Sequence, residues 1–304
     1  MNVTDQELMR FVNMNDPWSV LKEVKTTVSL VFPNFDFETI DLVFSDFLNL
    51  FAGNYPGYRG CNTRYHDLKH TTDTFIALAR LIHGAAKAGL EITRQGTSLA
   101  LVSALMHDTG YIQAIDDING TGAKYTLNHV DLSIDFMSNY FNEKGYPRED
   151  FIYCRNIVSC TGLDVGLEGI QFLNSENEHL GKMLGTADLQ GQMADREYLE
   201  KLIYLYREFR EGGVAGYESE LDLLKKTPRF YRTTLKRFEE ELGGVWRYMQ
   251  HHFRFRWGLD EDPYKTAIEG HIAYLEKTLL NHSNNYSEYL RRGCLNPVRL
   301  INSC

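Results

Sequence analysis

Residues 97–108, TSLALVSALMHD, decide the fold class. From Leu99 to Met106 only Ser103 interrupts the apolar run. A helix of that composition is buried nearly all round rather than along one stripe. It ends on His107-Asp108. Asp108 falls on the line of Leu101 and Leu105, and His107 lies beside the small Ala100, Ser103 and Ala104. A carboxylate kept among leucines is costly unless it is paired or bound to a metal. The partial negative charge of a helix C-terminus favours a cation at the same place.

Outward from this helix the same periodicity recurs. Residues 35–51, FDFETIDLVFSDFLNLF, are apolar at i, i+3 and i+4 steps and read as a core-facing helix. The Gly, Pro and Asn of GNYPGYRGCN break it. A second helix is expected from about Tyr65 to the region of Gly84. Thr97 or Ser98 is expected to cap the buried helix, with Gly110 as its stop. AIDDINGTGAKY reads as a loop, after which Thr126 caps a helix over about His129 to Phe141. Another helix spans about Glu149 to Cys160. Ser175 and Glu178 have the spacing of a capping box, opening a long helix through Asp188 to about Phe209. Pro228 and Pro263 suit first turns, and the last residues, GCLNPVRLINSC, suit an irregular tail. Strand alternation is scarce, so the expected fold is all-α, a multi-helix bundle around a central pocket. It is read as a single helical domain over residues 1–304, with a catalytic core at 61–192.

Composition narrows the function. Lys+Arg number 32 against 41 Asp+Glu, a net charge of -9, which is the wrong sign for wrapping a nucleic acid polymer. The five Cys form no CxxC pair, which argues for a reducing compartment. The start, MNVTDQELMR, lacks the apolar core of a signal peptide. No apolar run approaches the roughly 18 residues of a membrane span. A cytoplasmic protein with no membrane partner is expected, with a homodimer as one possible assembly.

Three features carry chemistry. In Tyr65-His66-Asp67-Leu68-Lys69-His70 two His stand at i and i+4, which on a helix share one face. His107-Asp108 is the second. The third is Asp188, on a stripe with Leu180 and Leu184, flanked by Gly181, Gly185 and Gly191, which suggest a close neighbour. Each alone has an ordinary alternative: a core histidine already satisfied, a carboxylate turned to solvent at a frayed end, a buried Asp bonded to a hydroxyl or Lys. Together, His70, His107, Asp108 and Asp188 offer two imidazoles and two carboxylates, a donor set suited to a borderline divalent metal with positions left for water.

The order His…His-Asp…Asp, with ALMHDTGY around the doublet, resembles the HD superfamily of metal-dependent phosphohydrolases. YHDLKH resembles the Y-H-N-x-x-H signature of the class I cyclic-nucleotide phosphodiesterases, and IVSCTGLD and GTADLQ are similar to two later segments of that catalytic domain. The resemblance implies that His70, His107, Asp108 and Asp188 are metal ligands, with Asp108 bridging where two ions bind. It implies that His66 protonates the leaving oxygen and that His129 lies near a second metal or the substrate. It also implies a cofactor of one or two divalent ions (Zn, Fe, Mn, Ni or Mg) and a small phosphorylated substrate, a nucleotide or cyclic nucleotide, whose phosphodiester is cut by metal-activated water. The chain departs from the phosphodiesterase pattern at Tyr111, where H-D-x-x-H-P-G carries its second His, and at Gly162, where an Asp is usual. Asp67 replaces an Asn, and no glutamine and aromatic clamp for a purine is found.

The reading is therefore a metal-dependent phosphoric ester hydrolase with His66 and Asp108 as catalytic groups. Asp67 or another acid would orient His66. Tyr65, Lys124 and His129 are the candidate substrate contacts, Lys124 as a cation at the end of the GTGAKY loop. Two alternatives stand beside it: a one-metal nucleotide phosphomonoesterase, and a non-catalytic HD-fold module that senses a ligand.

Overall fold

The computed structural model describes residues 11–163 and 166–290. Among them are eleven α-helices and no strand. In chain order these are α1 (Pro17–Ser29), α2 (Glu38–Ala52), α3 (Leu68–Lys87), α4 (Arg94–Met106), α5 (His129–Lys144), α6 (Arg148–Ser159), α7 (Ser175–Ala194), α8 (Tyr198–Glu211), α9 (Glu220–Glu240), α10 (Tyr248–Trp257) and α11 (Pro263–Tyr274). None is long and apolar enough to cross a membrane. The C-terminal tail residues 291–304 lie outside the described residues.

α3 is the axis of the bundle. Every residue from His70 to Ala85 is buried, and the helix packs against α7, α10, α1 and α4. Two glycines make this crowding possible. A Cβ at Gly84 would meet the Tyr248 carbonyl oxygen at 1.8 Å, so the backbone of α10 rests on that position. A Cβ at Gly191 of α7 would meet the Asp73 backbone of α3 at 3.2 Å, and one at Gly185 would meet the Cys160 carbonyl oxygen at the end of α6 at 2.5 Å. The glycines around Asp188 thus serve close approach, as their spacing suggested. Gly84 does not end the helix. It sits inside α3, and the neighbouring His83 is buried with its Nδ1 3.2 Å from that of His252.

Several boundaries differ from the sequence expectation because other side chains hold the ends. α3 starts at Leu68 rather than near Tyr65, because the Asp67 carboxylate accepts from the His70 N–H as N-cap. Asp67 is therefore a cap and not the orienter of His66, and His66 precedes the helix rather than sharing its face with His70. Thr93, not Thr97 or Ser98, caps α4, which ends at Met106, and Gly110 lies in the 3-10 turn that follows. The helix after Thr126 starts at His129 with Asn128 at its cap, and Thr126 instead closes the 3-10 turn Gly122–Tyr125. Asn174 takes the capping role expected of Ser175. The helix carrying Asp188 stops at Ala194 instead of running on to Phe209, and Pro228 lies inside α9. Pro263 does open α11.

Candidate metal centre and its cavity

Three elements bring the candidate ligands together: the first turn of α3, the end of α4, and the middle of α7. Gly110, just past α4, fixes the approach of a fourth, since a Cβ there would meet the His129 carbonyl oxygen at 2.0 Å. That contact seats the start of α5 against the His107-Asp108 turn.

His70 Nε2 lies 3.1 Å from both Asp108 Oδ2 and Asp188 Oδ1. His107 Nε2 lies 3.4 Å from Asp108 Oδ2, 3.7 Å from Asp188 Oδ1 and 3.4 Å from His70 Nε2. These separations are those expected of atoms sharing one ion at bond lengths of roughly 2.0–2.2 Å. Two further observations fit a cation. Asp108 Oδ2 is buried and is approached only by the two imidazoles. His107 Nδ1 donates to the Ala104 carbonyl at 2.8 Å, which leaves its Nε2 lone pair for the site. His70 differs, as its buried Nδ1 has no partner. His70, His107 and Asp108 form a set compact enough to hold a metal ion, and Asp188 faces both imidazoles from α7.

The imidazoles and carboxylates of this set polarise one another. Burial opposes charge on His70, but the hydrogen bonds and charges of Asp108 and Asp188 override it and raise its pKa to about 10. Burial likewise opposes the two carboxylates, and the facing imidazoles hold both below the usual carboxylate range. A cation placed here would replace the imidazole protons in that role.

Above the ligands stands a ring cluster. His66 stacks on Tyr111 at 4.3 Å between centroids, and Tyr111 stacks on His129 at 4.7 Å. Tyr111 thus fills the position where the phosphodiesterase pattern has a histidine. His129 Nδ1 bonds the Thr126 carbonyl at 2.8 Å, its Nε2 lies 3.8 Å from Asp108 Oδ1, and burial lowers its pKa.

Two residues that the sequence reading missed complete the geometry. Glu208 of α8 accepts from His66 Nδ1 at 2.7 Å and from the backbone N–H groups of Arg64 and Tyr65 at 2.7 Å each. It is the other acid that the expectation for His66 allowed beside Asp67, and it fixes the ring. Gln192, one turn after Asp188, donates to Asp188 Oδ1 at 3.2 Å and accepts from the Tyr65 hydroxyl at 2.6 Å. Glu208 did carry a signal: it lies three residues after Leu205, at the edge of an apolar face, as Asp108 does after Leu105.

His66, Asp108, His129, Asp188 and Tyr65 all line one cavity of about 720 Å³. Lys124 does not. Its ammonium is held by Asp117 at 2.5 Å and by the Asn119 carbonyl at 2.6 Å, off the cavity wall. The reason is local: the loop supplies its own carboxylate. Burial pushes the Cys154 and Cys160 thiols up to about 12, so Cys160 is a packing residue and not a nucleophile.

Residues 117–249 match a family described as Npun_R2479-like. The match spans under half of the chain and includes His129, Asp188 and Glu208, but not His66, His70 or the His107-Asp108 doublet. No curated protein and no solved structure matches the chain.

Proposed function

We propose that this protein is an HD-type, metal-dependent phosphoric ester hydrolase acting on a small phosphodiester. The observation that supports it most is the compact buried set of His70, His107 and Asp108, with Asp188 3.1 and 3.7 Å from the two imidazoles, beneath a cavity that Asp108 and Asp188 line and whose wall carries a Glu-held imidazole.

His70, His107, Asp108 and Asp188 would hold the ion. When bound, a divalent ion offsets phosphate charge and acidifies a coordinated water. The remaining work falls to the chain itself. Glu208 keeps the His66 ring in one orientation and, by holding Nδ1–H, leaves Nε2 as the atom that exchanges a proton with the leaving oxygen. Tyr111 supports the face of that ring. Gln192 steadies Asp188. The apolar walls exclude water around the ester.

The test is a panel of cyclic nucleotides, linear nucleotides and simple aryl or alkyl phosphodiesters and monoesters, with Mn²⁺ or Mg²⁺. Turnover of a diester that a chelator abolishes and added metal restores is the expected result. A folded, metal-loaded protein that cuts none of them would overturn the proposal, and monoester turnover alone would reassign it to the monoesterase class.

A further inference from the structure

The non-reacting half of the substrate can be read from the walls of the same cavity. Beyond the polar floor, α7, α8 and α9 contribute Leu189, Leu202, Leu205, Phe209, Leu223 and Phe230. Leu189, Leu202 and Leu223 are buried to 3% exposure or less, so the wall is core-like and not a shallow surface. The apolar lining also runs out to solvent. Leu127 and Leu163 line the cavity and are 65% and 53% exposed, which is unusual for two leucines at the mouth of one pocket.

Four polar side chains of these walls are already engaged, while Asn128 and Gln171 stand nearer the rim of the same lining. Asn156 donates to the Gln171 carbonyl and to Asn177 Oδ1. Gln192 is held between Tyr65 and Asp188. The Thr161 and Thr227 hydroxyls donate to the Val158 and Leu223 carbonyls. A pocket that selects a base does so with donors and acceptors left open for that base's edge. These four side chains spend theirs within the protein.

We propose that the cavity takes a phosphate ester whose second substituent is apolar, an alkyl or aryl group, rather than a nucleoside with hydrogen-bonding edges. The inference rests on the hydrolase reading: the phosphate sits at the floor beside His66 and the substituent lies along α8 and α9. Arg155 at the cavity edge is exposed and adds a cation at the mouth, whereas Lys226 is held by Asp222 and the Gly216 carbonyl.

A chain-length series tests this on the full-length, metal-loaded protein. The probes are methyl, butyl, hexyl and decyl 4-nitrophenyl phosphate, with cyclic nucleotides as comparators. Each buried methylene is worth up to about fourfold in binding, so kcat/KM should rise at least about tenfold from methyl to hexyl and exceed that for any cyclic nucleotide. Phe209→Ala and Leu205→Asn, two independent changes in the wall, should each flatten the series. A flat or falling series in an enzyme that does cut the methyl ester overturns this inference and leaves the hydrolase reading intact. If no ester is cut, the hydrolase reading fails, and calorimetry with hexyl against methyl phosphate still decides the cavity's preference: tighter binding of the hexyl compound supports it, and equal affinities overturn it.

Discussion

Two buried charge clusters begin on consecutive residues of α3, and they are built on opposite plans. Lys69 belongs to the first. Its ammonium pairs with Asp73 at 2.5 Å and with Asp195 at 3.2 Å, and Lys201 pairs with Asp195 at 3.3 Å and Asp67 at 3.2 Å. Here the protein supplies its own counter-charge, and the cluster ties α3 to α7 and α8. His70 belongs to the second, with His107, Asp108 and Asp188. That cluster contains no Lys or Arg, and its two carboxylates line a cavity. Buried charges that are matched by fixed partners serve architecture. In the second set the only counter-charges are imidazoles, which could give up their protons to a cation, as the ammonium groups of the first could not.

The first cluster is not perfectly balanced, which explains one of its members. Three carboxylates face two ammonium groups. The surplus falls on Asp73, where burial, opposed by Lys69 and aided by Asp195, raises the pKa to about 6, and whose Oδ1 has no hydrogen-bond partner.

The contrast can be broken experimentally. The largest effect is expected beside the second cluster: His66→Ala should lower turnover by about 10²–10⁴-fold while bound metal stays unchanged, because removing a general acid, the role proposed for His66, costs about that much. Steady-state kinetics with metal analysis of the same sample checks it, and joint loss of both would make His66 a ligand. Next comes the first cluster. Lys201→Met should cost about 3 kcal/mol in denaturant unfolding, the lower end for breaking a buried pair because Asp195 keeps Lys69. Metal content of the folded fraction should not change. The smallest effect concerns the surplus carboxylate. A raised folded-state pKa means that the stability present below the unfolded value of 3.8 is lost as pH rises through about 6. Asp73→Asn should therefore gain about 1–3 kcal/mol over the wild type at pH 8 and almost nothing at pH 4. Equal differences at both pH values would place the surplus charge elsewhere.

The helical class and the convergence of His70, His107, Asp108 and Asp188 were legible because they share one signature. A carboxylate or imidazole standing on an apolar stripe, as Asp108 does after Leu101 and Leu105, is expensive unless something nearby compensates it. Periodicity alone exposes that. Partners from distant segments were not legible. Glu208 reaches His66 across 142 residues, and nothing in the YHDLKH stretch points to α8. Asp67 was misread for a related reason, since an acid beside a histidine in sequence was used by the backbone as a cap. Lys124 was misread because a loop cation answers first to the nearest loop carboxylate, Asp117. Gly84 looked like a helix stop, whereas its missing Cβ makes room for α10.

The most direct measurement is elemental analysis of the full-length protein purified without chelator, beside His107→Ala. The account predicts at least one divalent transition metal per wild-type chain and its loss in the variant, with circular dichroism showing both folded. A folded wild-type chain that carries no metal and takes up none on titration, or a variant that keeps its ion, would contradict it.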